Sequence, residues 1–218
     1  MTTPRRRSRG RPRQEGLAER RREQIVQAAY EIFTEHGYRS TTVSMIAKRA
    51  GVGQGTVYRY FDSKLEILRA VFDHTAEMGF AALDIEAVAQ PITSVAELTD
   101  RIADAATALT DLVQRDPRLL TILAVEASAA DPELQHRVIG LERILASRLS
   151  SAIAAGVADG TVRPDVDVAA YGHLLLSLGM PSFVDAFHGR MTPARRDRHV
   201  TAISDIVVHA LQVAGGGR

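Results

Sequence analysis

The chain has 218 residues, 45% hydrophobic and 24% charged, the balance of a soluble globular protein with room for one large domain or two modest ones. It contains no cysteine, which excludes disulfides, thiol nucleophiles and thiolate metal sites. No run reaches the ~18 uninterrupted apolar residues of a membrane helix, and the N-terminal arginines lead into no apolar stretch of the secretory kind, so a cytoplasmic protein is expected.

The formal net charge of +1 conceals an asymmetry. Residues 1–75 carry 15 Lys+Arg against 8 Asp+Glu, while residues 76–218 carry 12 against 18. The front of the chain is therefore suited to a polyanion and the rear is not. Residues 1–18, with six arginines and Pro4, Gly10, Pro12 and Gly16, lack apolar periodicity and are expected to form a basic flexible arm.

From about Glu19 the spacing turns helical, with Ile25, Ala28, Ala29, Ile32 and Phe33 on one face and His36-Gly37 as the stop. Thr42 reads as the N-cap of a short second helix that buries Val43, Ile46 and Ala47. Ala50-Gly51-Val52-Gly53 forms a tight turn, and a third helix is expected from Gln54 to about Tyr60. Further starts follow at the capping boxes Ser63–Glu66 and Ser94–Glu97, and at Asp116-Pro117, Asp131-Pro132 and Thr192-Pro193. Nothing alternates with period two long enough to make a sheet. The fold class is thus all-α, with about nine helices. A DNA-binding domain over 19–64 and a larger helical domain over 65–218 are expected.

Residues 40–61 lay out a capped helix, a glycine turn and a second short helix, the arrangement of a helix-turn-helix. Val57 and Phe61 lie four apart and face one core, which leaves Gln54, Gly55, Thr56, Tyr58, Arg59 and Tyr60 for the opposite side. Hydrogen-bonding groups, a cation and two phenols around a small glycine suit close approach to a groove floor. A ring of Tyr58 or Tyr60 packed inside the small domain is the alternative.

Residues from about Arg22 to Phe72 resemble the DNA-binding domain of the TetR family of transcriptional regulators. The resemblance is carried by Ile25, Ala28-Ala29, Phe33, Gly37, Thr41-Thr42-Val43, Ile46-Ala47, Ala50-Gly51-Val52, Gly55 to Phe61, and Lys64. Gly53 stands where the family often has a capping serine, and Gln54 where a basic residue is common. The resemblance implies double-stranded DNA as the partner, with Thr41 in the binding region. Thr42, Tyr58, Tyr60 and Lys64 would lie on phosphates; Gln54, Gly55, Thr56 and Arg59 would face base edges. Lys64, in the first turn of the next helix, could add its ammonium to the backbone N–H groups there. Arg9-Gly10-Arg11-Pro12 is similar to the core of an AT-hook, which would place Arg9 and Arg11 in a minor groove. A disordered basic tail that contributes through counterion release is the other reading.

For the second domain the resemblance implies effector binding and homodimerisation through the last two helices, about 167–186 and 192–213. Leu174, Leu175, Leu178 and Phe183, with Ile203, Ile206, Val207 and Leu211, offer the apolar surface, or else fill the monomer core. An apolar small-molecule effector is expected in a cavity lined by Leu112, Leu123, Met180, Phe183 and Phe187, with Tyr171 or His173 as polar anchor. No cofactor, metal or catalytic machinery is expected. Gly51-Val52-Gly53-Gln54-Gly55 follows no strand, the seven histidines form no i, i+4 pair, and no nucleophile elbow or P-loop occurs. The expected function is a ligand-responsive repressor that binds a palindromic operator as a dimer. Alternatives are an activator or architectural DNA-binding protein without an effector, or a small-molecule-binding helical protein.

Overall fold

A computed structural model describes residues 12–212, which divide into two compact units at the Val71–Phe72 boundary. In the first unit, α1 (Pro12–His36) buries Ile25, Ala28, Ala29, Ile32 and Phe33, the stripe its periodicity predicts. Gly37 closes it in the left-handed region (φ 76°), its N–H donating to the Phe33 carbonyl at 2.8 Å. Next comes α2 (Val43–Arg49), whose cap Thr42 accepts from the Met45 N–H at 3.3 Å. The turn needs Gly51, at φ 64°, where a side chain would be strained. It delivers the chain into α3 (Gln54–Val57), and α4 (Lys64–Leu83) follows, with Ile67, Leu68 and Val71 of its first two turns buried.

Three boundaries differ from the sequence reading. The first helix begins at Pro12, inside the expected 1–18 arm. Residues 16–20 are exposed all round, and a helix with no buried stripe leaves no amphipathic signal. The first unit extends to Val71 rather than to residue 64, because the Ser63 box marks where a helix starts and not where a core ends. Finally, α3 is a single turn rather than a helix to Tyr60. Beyond Val57 the chain winds through mixed turns, with Arg59 N–H bonded to Thr56 and both Tyr60 and Phe61 N–H bonded to Val57. Gly53 supplies no side-chain cap and Gly55 weakens the helix from within.

The second unit contains α5 (Ile85–Val88), α6 (Val95–Arg115), α7 (Arg118–Leu120), a π-helical turn (Thr121–Glu126), α8 (Ala127–Ala130), α9 (Pro132–Asp159), α10 (Val168–Leu178), α11 (Met180–Phe187) and α12 (Pro193–Leu211). The single turns α5, α7 and α8 account for the excess over the nine helices expected. No strand occurs among the described residues, where an isolated bridge joins Val162 and Gln212.

Two apolar clusters hold this unit. The larger joins Leu98 of α6, Leu149 and Ile153 of α9, Leu175 of α10 and Val207 and Leu211 of α12; the smaller gathers Val113, Leu119, Ala186 and Met191. At Gly172 a Cβ would stand 2.1 Å from Ser150 Oγ and 2.6 Å from the Ala146 carbonyl, so the contact of α10 with α9 requires glycine. Two of the helix starts behave as read, with Ser94 accepting from the Glu97 N–H and Thr192 from the Arg195 N–H, at 3.1 and 3.2 Å. Asp131, by contrast, makes no side-chain cap bond to α9, and α7 begins at Arg118, one residue beyond the expected Pro117. Among the described residues, no helix is long and apolar enough to cross a membrane.

Candidate nucleic-acid interface and effector cavity

Local burial sorts the recognition segment into two sides. Val57 is 0% and Phe61 2% exposed, and they anchor the segment in the core. Gln54, Gly55, Tyr58 and Arg59 are exposed, and Thr56 and Tyr60 are half-buried. Tyr58 is 48% accessible, and the Arg59 guanidinium stands 5.6 Å from the centre of the Tyr60 ring. Neither tyrosine is among the buried residues, which removes the alternative in which one ring fills the domain. The segment therefore presents a contiguous row of amide, hydroxyl, guanidinium and phenol groups on a rigid turn. Thr42 is exposed beside it at the start of α2.

Two residues expected at this surface have other duties. Thr41 is 2% exposed, and its hydroxyl donates to the Gly37 carbonyl at 2.8 Å, tying the α1–α2 connection instead of facing outward. Lys64 directs its ammonium into the same connection. Nζ donates to the carbonyls of Tyr38 and Thr41, both at 2.8 Å, and to Arg39 at 3.4 Å, and lies 4.3 Å from the Tyr38 ring centre. Its three donors are thus spent on backbone that no sequence motif marks. The first turn of α4 is likewise closed, with Ser63 accepting from the Glu66 N–H at 3.1 Å and the Glu66 carboxylate accepting from the Asp62 N–H at 2.6 Å. Arg49, although exposed, is also engaged within the unit, bridging Glu31 at 2.8 Å and Glu35 at 2.6 Å, which raises its pKa and braces α2 against α1. Arg9 and Arg11 lie outside the described residues.

The second unit holds an apolar cavity of about 140 Å³. Its walls are Ile85 and Val88 of α5, Ile102, Ala105, Ala106, Leu109, Thr110 and Val113 of α6, Leu145, Arg148 and Leu149 of α9, Leu175 and Leu176 of α10, and Ser182 and Ala186 of α11, with Leu83 and Gly179 at its edges.

Of the residues expected from sequence, none with a described side chain is in this wall. Leu112 and Leu123 pack on the Val113–Leu119 cluster. The Tyr171 hydroxyl accepts from Arg163 at 2.8 Å, and His173 is exposed over the Ala169 carbonyl. Met180 and Phe187 are exposed, and the side chain of Phe183 lies outside the described ones. The reason is a matter of phase: Ser182 and Ala186 turn to the cavity, so Met180, Val184 and Phe187, at i, i+4 and i+7, fall on the other side of α11. Small residues on inward-facing stripes, the half-buried Ala105 and Ala106 and the buried Ala186, were the available signal, since they leave the volume unfilled.

The expected dimer surface divides in the same way. Leu174 and Ile206 are exposed at 57% and 51%, whereas Leu175, Val207 and Leu211 belong to the unit's own core and Leu178 and Ile203 pack against it.

A helix-turn-helix with an exposed polar row, joined to a separate helical unit with an apolar cavity, defines a DNA-binding transcriptional regulator. The comparisons name the family. The model for bacterial regulatory proteins, tetR family, matches residues 25–71. Over 145 residues the chain is 30% identical to the fatty acid metabolism regulator protein of Bacillus subtilis, spanning 66% of this chain and 72% of that one. The crystal structure of FadR from Bacillus subtilis in complex with stearoyl-CoA superposes with a TM-score of 0.67 at 22% identity, over 86% of this chain and 98% of that one. A TetR transcription regulator from Haloarcula marismortui gives 0.69 at 23% identity, over 89% and 100%. At these identities the two structures bear on the fold. The chain belongs to the TetR family of bacterial transcriptional regulators.

Proposed function

We propose that the protein is a cytoplasmic, homodimeric repressor whose grip on a palindromic operator is released by an apolar small-molecule effector. The observation that carries this reading is the coexistence of two separate sites: an exposed Gln54–Tyr60 row anchored by Val57 and Phe61, and an apolar cavity in the other unit. Each subunit would set α3 and the turn behind it in the major groove, reading half-sites one helical turn, ~34–36 Å, apart. Gln54 and Arg59 carry the groups for base edges, and Thr42, Tyr58 and Tyr60 those for phosphates.

Leu174, Met180, Val184, Phe187 and Ile206 supply an exposed apolar surface for the dimer partner. A cavity of about 140 Å³ matches the ~150 Å³ that holds benzene in an engineered protein core, so it takes the apolar part of an effector of modest length as it stands. The acyl ligand of the Bacillus structure supports a hydrocarbon-bearing effector here. Effector bound to the state that fits the operator poorly weakens DNA binding, and the operator weakens effector binding by the same factor. Footprinting of the protein on its own upstream region tests the reading, with a protected palindrome expected. Loss of protection on adding an apolar effector completes it, and no protected palindrome at low salt would refute it.

A further inference from the structure

Among the described residues, the cavity has one charged side chain in its wall, Arg148. The same side chain borders a surface groove formed with Phe80, Asp84, Ile85, Glu86 and Ile144, so it stands where the apolar space meets the exterior. Its partner is Glu86, with 3.2 Å between Nη2 and Oε1. The Arg148 side chain is 43% and that of Glu86 75% exposed, and ion pairs so open to water contribute little. Glu86 also rides on a short segment. Its helix, α5, is a single turn whose cap Asp84 sits in the left-handed region at φ 42°, and its closing bonds, Val88 to Asp84 and Ala89 to Ile85, measure 3.2 and 3.3 Å. A cation at the rim of an apolar space, held by an easily displaced acid, is the complement of a molecule with a hydrocarbon tail and an anionic head.

Resting on the effector reading above, we infer that the effector is such an amphiphile, and that Arg148 selects it by exchanging Glu86 for the ligand's anion while the tail enters among Ile102, Leu109 and Leu145. Carboxylate and phosphate heads share this chemistry, since a guanidinium pairs with either. The competing acids are Glu86 and Asp84, and the former must swing aside.

Titration calorimetry of the full chain with octanoate, octanol and octanoyl-CoA tests the assignment. Octanoate or octanoyl-CoA should bind a few-fold tighter than octanol, the margin of an ion pair at a partly exposed guanidinium, and whichever of the two binds more tightly identifies the head. Arg148→Gln should remove that margin and leave octanol within about twofold, whereas Glu86→Gln should tighten octanoate a few-fold. Equal affinity for octanol and both anions in the unmodified protein overturns the assignment but leaves an apolar effector site standing. Arg148→Gln weakening all three ligands alike also overturns it, by making the residue structural. Failure of all three to bind overturns the assignment and the cavity's role together.

Discussion

Replacing Lys64 with methionine separates two roles that would otherwise look alike in a DNA-binding assay. The substitution keeps the stem and deletes the ammonium, so the carbonyls of Tyr38 and Thr41 each lose a 2.8 Å donor and the Tyr38 ring loses its cation at 4.3 Å. Charged hydrogen bonds contribute ~1.5–3 kcal/mol each and an exposed cation–π contact ~0.5–1 kcal/mol. The site is half-buried and water can reach part of it, so roughly half the low end of that sum, about 2 kcal/mol, is the expected loss. For a chain of this size that corresponds to ~4–8 °C in Tm.

The chain offers a selective reporter. It has no tryptophan, and Tyr30, Tyr38, Tyr58 and Tyr60, four of its five tyrosines, lie in the first unit. A urea titration followed by tyrosine fluorescence should therefore show the transition moving to lower denaturant. Below the transition, the slope of log K against log salt for operator DNA should be unchanged, because a phosphate contact removed would lower it by about one unit. Unaltered stability together with a slope shallower by one would refute the internal role and restore Lys64 to the phosphate surface.

Three more outcomes follow from the structure. Gly172→Ala should destabilise the second unit by about 1–3 kcal/mol through overpacking against the Ala146 carbonyl, whereas Gly140→Ala, with nothing within 4 Å, should gain about 0.5–1 kcal/mol; denaturation by circular dichroism reads both, and equal effects would contradict the packing. Glu97 accepts from the Thr93 N–H, then the Thr93 hydroxyl, then Arg101, which together hold its carboxyl down to about 2. Its stabilisation is present above the ordinary carboxylate range and lost as pH falls through about 2, so the urea midpoints of the unmodified protein and Glu97→Gln should converge between pH ~4.5 and ~2, and parallel profiles would sink the argument. Arg59→Ala should weaken operator binding by about 1–3 kcal/mol and relax preference at one base position, as read by anisotropy with operator variants; a loss uniform across sequences would move Arg59 to the phosphates.

The two sites differ in how far residues announce them. The recognition segment was legible because its information is local. A glycine in the left-handed region, a threonine cap and a Val57–Phe61 spacing of four decide which side chains point out within a dozen residues. Even there Thr41 and Lys64 escaped, since each is consumed by carbonyls of the α1–α2 connection, Lys64 across more than twenty positions of chain. The cavity was illegible from residue type. Large apolar residues on α10 and α11 suggested a lining, but the phase of α11 turns Met180 and Phe187 outward.

Hydrogen bonding within a turn and the periods of helices act over a few residues, so composition and spacing alone determined an all-α chain, the helix starts capped by Thr42, Ser94 and Thr192, and the outward row from Gln54 to Tyr60. The ammonium of Lys64, the burial of Thr41 and the meeting of Ile102, Leu145, Arg148 and Leu175 around one void were decided by tertiary structure. A void is the space that helices distant in sequence leave between them, and its walls are set by which small residues happen to face one another.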